Sequence, residues 1–512
     1  MIRLKSFLQD QFRDGEGEGA TLVDPTTEEP VATTSTKGLD LAGAFAHART
    51  VGGPRLRAMS FAERGALLEA MSKALYEVRD SLLEASTLNA GTTRSDGKFD
   101  IDGATGTLAY YANLGKQLGD RTYLVEGEGE QLTRSARFWG HHIKVPREGV
   151  AVHVNAFNFP AWGFAEKAAV ALLAGVPVIT KPATATALTT FRCFEALAQA
   201  GLLEGGVLQL VCGGAGDLLS HLGPQDVLAF TGSGETGAYF RRLDAVVERS
   251  VRLNIEADSL NAAVLGPDVE VGDDTWAMFV RDAAKEITQK TGQKCTATRR
   301  ILVPRSKVEA VVAALSDELA RYEVGDPRKE GVRVGPLASK QQLDAVREGI
   351  AALVEAGCRV AWRGSAPEGK GYFVPITLLV HDVPGEAAVV HEREVFGPVS
   401  TVLPYDSLDE AVELVRRGEG GLVASVYSDD RDVLGTLLRG LASWSGRILA
   451  GSRKVADQAI APGMVLPSCV HGGPGRAGGG EELGGLRGLD FYFQRTAVQG
   501  DRALLDRALS LR

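Results

Sequence analysis

From Gly149 onward the chain alternates short valine-rich runs with helical stretches, and this alternation restricts its fold more than any other feature. VAVHVNAF, VPVITKP, VLQLV, VLAFTGS and NAAVLG are too short for helices, and stretches such as WGFAEKAAVALLAG, closing at Gly175, separate them. β-Branched residues suit a pleated surface, and strands that are apolar throughout need cover on both faces. The pattern therefore predicts a mainly parallel sheet with helices on either side, a frame in which nucleotides bind beyond the carboxyl ends of the strands. After Glu256 a second alternating series begins: a helix from Thr275 to Thr291, strand ILVPR, helices VEAVVAALSDELARY and SKQQLDAVREGIAALVEAG, then strands CRVAWRG and YFVPITLLV. This predicts a second α/β domain. Ahead of both lies a turn-rich lead and the amphipathic stretch SFAERGALLEAMSKALYEVRDSLLEAS, which Ser60 and Glu63 open as a capping box.

A chain of 512 residues with 44% hydrophobic content exceeds what one core serves, so two or more domains are expected. Lys and Arg number 56 against 65 Asp and Glu, a net charge of -9 with both signs interspersed. That balance argues against nucleic acid or an anionic membrane as the main partner and favours small molecules. Five scattered cysteines without paired spacing fit a reducing compartment and offer no zinc motif. The start, MIRLKSFLQDQFRDGEGEG, lacks the apolar core of a signal peptide, and no run approaches a membrane span. The expected location is the cytoplasm.

Cys193, Cys212, Cys358 and Cys469 lie in or beside apolar runs, where cysteine usually acts as a small buried hydrophobe. Cys295 differs, being set among Gln293, Lys294 and Thr296. A polar loop with an adjacent cation favours the thiolate, the form that attacks electrophiles. Asn158, in NAFNFPAW, follows a strand end; its amide either donates to a developing oxyanion or caps the next helix. Lys181, in ITKPATATA, is a cation at another strand end, or simply a surface lysine. GSGETG, Gly232 to Gly237, follows strand VLAFT and opens a helix, as a pyrophosphate-binding turn would. In a simple Rossmann reading Glu256 would then be the acid on the ribose, but that leaves Cys295, Asn158 and Lys181 without roles. REVFGPVS carries Glu394 and Phe396 in what alone would pass for a loop.

Taken together these segments resemble the aldehyde dehydrogenase superfamily over nearly the whole chain. NAFNFPAW is similar to the family's W-N-F-P segment, ITKPA to its Lys-Pro segment, FTGSGETG to its cofactor loop, NIEADSLN to the segment of its general base, GQKC to its nucleophile motif and EVFGP to its nicotinamide-ribose motif. The resemblance implies an α/β aldehyde dehydrogenase fold: a Rossmann-like cofactor domain over residues 1–123 and 148–256, a catalytic domain over 257–470, and a small oligomerisation sheet from 124–147 and 486–512. It implies Cys295 as nucleophile, Asn158 as oxyanion donor and Glu256 as the base for hydrolysis. Phe157, Lys181, Ala183, Thr184, Gly232, Ser233, Gly237, Glu394 and Phe396 would contact the dinucleotide. Histidine is not needed for this chemistry, and His153 and His471 are expected to be structural.

Two departures from the family pattern carry information. E-L-G-G reads E-A-D-S here, Glu256 to Ser259, and K-P-x-E reads K-P-A-T, with Thr184 where NAD-using members commonly hold a glutamate. A carboxylate there would repel a 2′-phosphate, so NADP is expected, with NAD possible. The strings EADSLN, AFNFP, KPATATA, GQKCTA and HGGPGRAGGGEELGGLR resemble one branch, the CoA-linked semialdehyde dehydrogenases of aerobic aromatic degradation. This implies a CoA-linked aldehyde as substrate, from the benzoyl-CoA or the phenylacetate route, with a generalist aldehyde dehydrogenase as the alternative. The chain stops at Arg512, so the resemblance is to the dehydrogenase alone rather than to a bifunctional ring-opening enzyme. A homodimer or dimer of dimers is expected, with the glycine-rich turn His471 to Gly488 near the neighbouring subunit.

Overall fold

The computed structural model describes residues 1–386 and 388–511; Ala387 in the second α/β series and Arg512 at the end of the last expected segment lie outside the described residues. Two seven-stranded sheets form its frame. In the first, the strands run in the order Arg252–Glu256, Val227–Thr231, Ala151–Val154, Val178–Lys181, Leu208–Leu210, Ser6–Leu8, Gln11–Arg13. The first five are parallel and the two amino-terminal strands add antiparallel. The second sheet has the order Arg359–Arg363, Thr377–Val380, Val399–Tyr405, Arg300–Pro304, Ala262–Leu265, Gly421–Tyr427, Ser445–Gly451. Only its Arg359–Arg363 edge strand is antiparallel.

Each sheet is buried on both faces, as its apolar strands require. Phe164, Leu172 and Phe194 pack on one side of the first sheet, and Phe45, Ile179 and Phe230 on the other. Around the second sheet, Leu403, Val426 and Leu437 belong to one core and Phe279, Ile301 and Leu315 to another. The amphipathic stretch near the start forms two helices, Phe61–Glu77 and Arg79–Ala90, broken at Val78, and both halves of the Ser60–Glu63 capping box are made. No helix among the described residues is long and apolar enough to cross a membrane.

A third sheet stands apart from these two. Leu124–Gln131, Phe138–Pro146 and Phe493–Asp501 pair antiparallel, the last in continuous register from Phe493 opposite Pro146 to Asp501 opposite Phe138. Most of its outer residues are exposed.

The parallel register of the first sheet places functional candidates side by side. Thr231 is opposite Glu256, and Val154 is opposite Lys181. The strand order reverses at Ala151–Val154, whose sequence successor Val178–Lys181 lies on one side while Val227–Thr231 lies on the other. Helices leave in opposite directions at such a point and open a crevice above it.

Candidate active site

Asn158, Glu256 and Cys295 meet in one pocket. It has a volume of about 460 Å³ including its mouth and is also lined by Phe159, Trp162, Glu166, Lys167, Thr231, Thr296 and His471. Cys295 is partly exposed, whereas Cys193, Cys212 and Cys358 are buried; Cys469 is partly exposed beside Ser468.

The turn that presents Cys295 is built from left-handed backbone. Lys290, Thr291 and Gly292 have φ of 53°, 58° and 68°. For the β-branched Thr291 this is a strained conformation, held by its hydroxyl donating to Gly335 O at 3.0 Å. Gly292 has no alternative, since a Cβ there would lie 2.1 Å from Gly397 O. The close approach seats the Cys295 turn against the EVFGP turn. Behind Cys295, the Asn261 side chain donates to Cys295 O at 2.7 Å and Ala297 O at 2.9 Å while accepting from Val423 N at 2.9 Å. Ser259 Oγ donates to Asn261 Oδ1 at 2.6 Å and accepts from Leu422 N at 2.9 Å. Ser259, which stands where the family has glycine, is thus part of a buried polar brace.

Lys294 does not act as the sequence suggests. Its ammonium pairs with Glu286 at 2.8 Å, both side chains fully buried, and donates to Gln289 Oε1 at 2.9 Å. With that charge neutralised, burial and then the facing Glu256 carboxylate push the Cys295 thiol well above its ordinary value. The thiol faces the Glu256 carboxylate.

Asn158 is free of helix capping. The helix Trp162–Ala174 is instead capped by Asp100, whose carboxylate accepts from Trp162 N at 2.7 Å and Ala161 N at 3.3 Å. One Asn158 N–H donates to Gln293 O at 2.9 Å, which turns the amide toward the Cys295 turn.

Glu256 ends its strand 2% exposed, inside the pocket rather than toward the Gly232 loop, which excludes the simple Rossmann role. His471, expected to be structural, proves to be its partner: His471 Nε2 lies 3.1 Å from Glu256 Oε2, with both side chains 3% exposed. Burial alone would raise the Glu256 carboxyl; the charge of His471, its hydrogen bond and the charge of Lys167 outweigh burial and hold it well below the usual range. Burial lowers His471 and the carboxylate raises it, with a net rise. Lys167 lies 3.0 Å from both Glu166 and Glu482, and burial pushes Glu482 upward. His153, by contrast, is structural, packed at 3.1 Å against the Tyr492 hydroxyl.

The segment expected near a neighbouring subunit reaches this site within its own chain. Val470–Gly472 and Glu481–Leu483 form a hairpin. Its tip presses on the strand of Glu256, with Ala257 N donating to Ala477 O at 3.0 Å and Gly480 N to Ile255 O at 3.1 Å. Gly478, φ 105°, allows the approach, since a Cβ would sit 2.3 Å from Ile255 O. The glycines of this segment serve close packing rather than flexibility.

The remaining candidates gather around the crevice. Lys181 is nearly buried and donates to Pro182 O at 3.1 Å; burial lowers it. Ala183 precedes a short turn at Thr184–Thr186, and the partly exposed Thr184 donates to Gly213 O at 2.9 Å rather than capping a helix. Gly232 N donates to Glu256 O at 3.1 Å, and the exposed Ser233 caps the helix Gly234–Arg241 through Thr236 N at 3.3 Å. Gly237 packs on Ile255. Asp258, the other departure from the family's glycines, accepts from Gly234 N at 3.2 Å. Across the crevice Phe157 and Phe396 meet edge to face at 5.7 Å. Glu394 is held by Arg299 at 3.4 Å and by Ser259 N at 3.2 Å, and burial raises it to about 7. A crevice that offers helix-terminal donors, a cation and aromatic faces fits an anionic dinucleotide.

His471, Lys167, Glu166, Glu482 and Asn261 were not identified from sequence. For Lys167 a signal existed: a Glu-Lys pair inside WGFAEKAAVALLAG, a helix otherwise apolar all round, has nowhere to go except a buried partner.

The sequence pattern of the aldehyde dehydrogenase family matches residues 12–498. The chain is 46% identical over 480 residues to the 3,4-dehydroadipyl-CoA semialdehyde dehydrogenase of Aromatoleum evansii, spanning 92% of this chain and 93% of that one. Among solved structures, an NADP-dependent enzyme of Escherichia coli superposes with a TM-score of 0.86 at 25% identity, covering 98% of both chains. The NAD+ complex of an aldehyde dehydrogenase from Bacillus cereus gives 0.85 at 25%, covering 98% of this chain and 97% of that one. A family match of this length, with so similar a relative across most of both chains, carries the conclusion: this chain is an enzyme of the aldehyde dehydrogenase family.

Proposed function

We propose that the enzyme oxidises the aldehyde end of a CoA-thioester-linked semialdehyde to the acid, with NADP as electron acceptor. The likeness to the Aromatoleum evansii enzyme, whose name specifies such a substrate, carries this reading. The pocket supports it. Its inner part is narrow, and through Phe99, Trp162 and Val465 it adjoins an outer groove of about 1020 Å³, bordered by Lys98, Gly103, Gly106 and Tyr110. A Cβ on Gly106 would meet nothing within 4 Å, so the groove is open where a long substituent would pass.

In this reading the Cys295 thiol loses its proton to solvent and adds as thiolate to the aldehyde carbon, and Asn158 with the Cys295 backbone amide holds the oxyanion. When bound, the nicotinamide accepts the hydride. A thioester on Cys295 remains. Glu256 then takes a proton from water, the hydroxide attacks the acyl carbon, and the C–S bond breaks to release the acid. Lys181, Ala183 and Thr184 would hold the adenosine side of the cofactor, Phe157, Gly232, Ser233 and Gly237 its middle, and Glu394 and Phe396 the nicotinamide ribose. Members of the family use NAD or NADP; the neutral, accessible Thr184 beside Lys181 supports NADP. The exposed three-stranded sheet supports a homodimer or dimer of dimers closing its edge, and five cysteines without paired spacing support the cytoplasm.

The test compares kcat/KM for a CoA-linked aliphatic semialdehyde with that for a free aldehyde of equal chain length. Remote binding energy orients the reacting end, so the linked substrate should lead by about 100-fold or more. Parity would overturn the substrate assignment.

A further inference from the structure

We propose that His471 is the positioning residue for the general base: as an imidazolium it holds Glu256 through Oε2, keeps the carboxylate ionised in a dry pocket, and leaves Oε1 to take the proton of the attacking water. The inference rests on the reading of Glu256 as the base for hydrolysis. Three observations carry it. His471 Nε2 stands 3.1 Å from Oε2. Oε1 of Glu256 is buried without a hydrogen-bond partner among the described residues. The Cys295 sulfur, a Glu256 oxygen and a His471 nitrogen lie within 4.8 Å of one another, so the carboxylate is beside the acyl carbon that Cys295 would carry.

An isolated carboxylate in such surroundings would take up a proton and cease to be a base. The other titratable groups that bear on His471 or the carboxylate are Glu166 and Lys167 on the helix Trp162–Ala174, Glu482 on the partner strand of the hairpin, Arg447 on Ser445–Gly451, and Cys295. Lys167 is shared between Glu166 and Glu482. Arg447 donates to Pro462 O at 3.1 Å. His471 is the cation in direct contact with the base. The hairpin is what brings it there, since its glycines let residues 471 and 480 flank the strand that ends in Glu256.

In the step concerned, a water O–H bond breaks, its proton goes to Oε1, the C–S bond breaks after attack at the acyl carbon, and sulfur leaves as thiolate. No redox change is involved, so p-nitrophenyl acetate serves as probe in the absence of cofactor. The p-nitrophenol burst reads acylation of Cys295, and the steady state reads hydrolysis through Glu256.

The unmodified enzyme should keep its steady-state rate as pH falls to about 5.5. His471→Gln should retain a burst of about one per site, lose about tenfold in steady state at pH 6, and approach the parent rate near pH 8.5. Imidazole added to His471→Ala should restore part of the loss at pH 6. A loss that is uniform with pH, or an acidic limb identical to the parent's, would overturn the proposal. So would an acidic inflection near neutral pH in the unmodified enzyme, a result that needs no variant to fold. Glu256→Gln separates the two readings: steady hydrolysis there would overturn the base assignment itself, whereas unchanged pH dependence in His471→Gln with an inert Glu256→Gln would overturn the role of His471 alone.

Discussion

The Asn261 side chain donates to the carbonyl of Cys295 at 2.7 Å, tying the Cys295 turn to the strand that begins six residues beyond Glu256. The same amide reaches Ala297 O, and its oxygen accepts from Ser259 and Val423. In Asn261→Ala these groups lose partners in a buried site. The cost should be about 1–3 kcal/mol in stability, read from the denaturant midpoint, with slower alkylation of Cys295 by iodoacetamide. Unchanged stability and alkylation would show that the turn holds its shape without this brace.

Removal of the two reacting groups should separate the chemical steps. Cys295→Ala should lose on the order of 10³-fold or more in kcat while cofactor binding, followed by fluorescence, is retained. Glu256→Gln should instead give a burst of about one NADPH per site, then turnover reduced on the order of 100-fold. A Glu256→Gln enzyme without a burst would mean that the carboxylate is needed already to activate the thiol.

The proposed preference for NADP rests on Thr184. Thr184→Glu would set an anion against the 2′-phosphate, and like charges a few ångströms apart in a partly dehydrated site repel by on the order of several kcal/mol before screening. The Kd for NADP should rise about tenfold or more, with that for NAD less affected. Equal use of both cofactors by the unmodified enzyme would remove the basis of this reading.

Glu394 gives a pH dependence with a defined sign. Burial raises its carboxyl from 4.5 to about 7. Below that value it is protonated and a weaker acceptor for ribose hydroxyls; above it, the carboxylate accepts fully. NADP affinity should therefore tighten by about tenfold from pH 6 to pH 8 if only the ionised form binds, and Glu394→Gln should flatten the profile. For folding the sign is opposite. A raised native pKa favours the protonated form, so its contribution to stability is full below 4.5 and is lost as pH rises through about 7. Cofactor titrations at several pH values check the first statement, and denaturation midpoints of the apo-protein check the second.

Much of the frame could be read locally. Valine-rich runs separated by amphipathic stretches predicted parallel sheets, and both were found, because strand burial on two faces is written into each segment. The helix starting at Ser60 was legible down to its capping box, since a cap depends on residues three apart. Cys295, Asn158 and Glu256 stood out by motif, and they share one pocket.

What the sequence determined by itself was therefore the class of fold, the family and the three residues at the centre of the pocket, all carried by neighbours in the chain. Tertiary structure alone decided the electrostatics. Lys294 is adjacent to Cys295 in sequence, yet its charge is turned away and cancelled by Glu286; His471 is 215 positions from Glu256, yet it lies 3.1 Å from that carboxylate. Asp100, from a distant helix, takes the capping role that local pattern offered to Asn158. The physical reason is common to all three: a buried charge is governed by whatever opposite charge or donor packing brings within a few ångströms, and that distance is set by the fold rather than by separation along the chain.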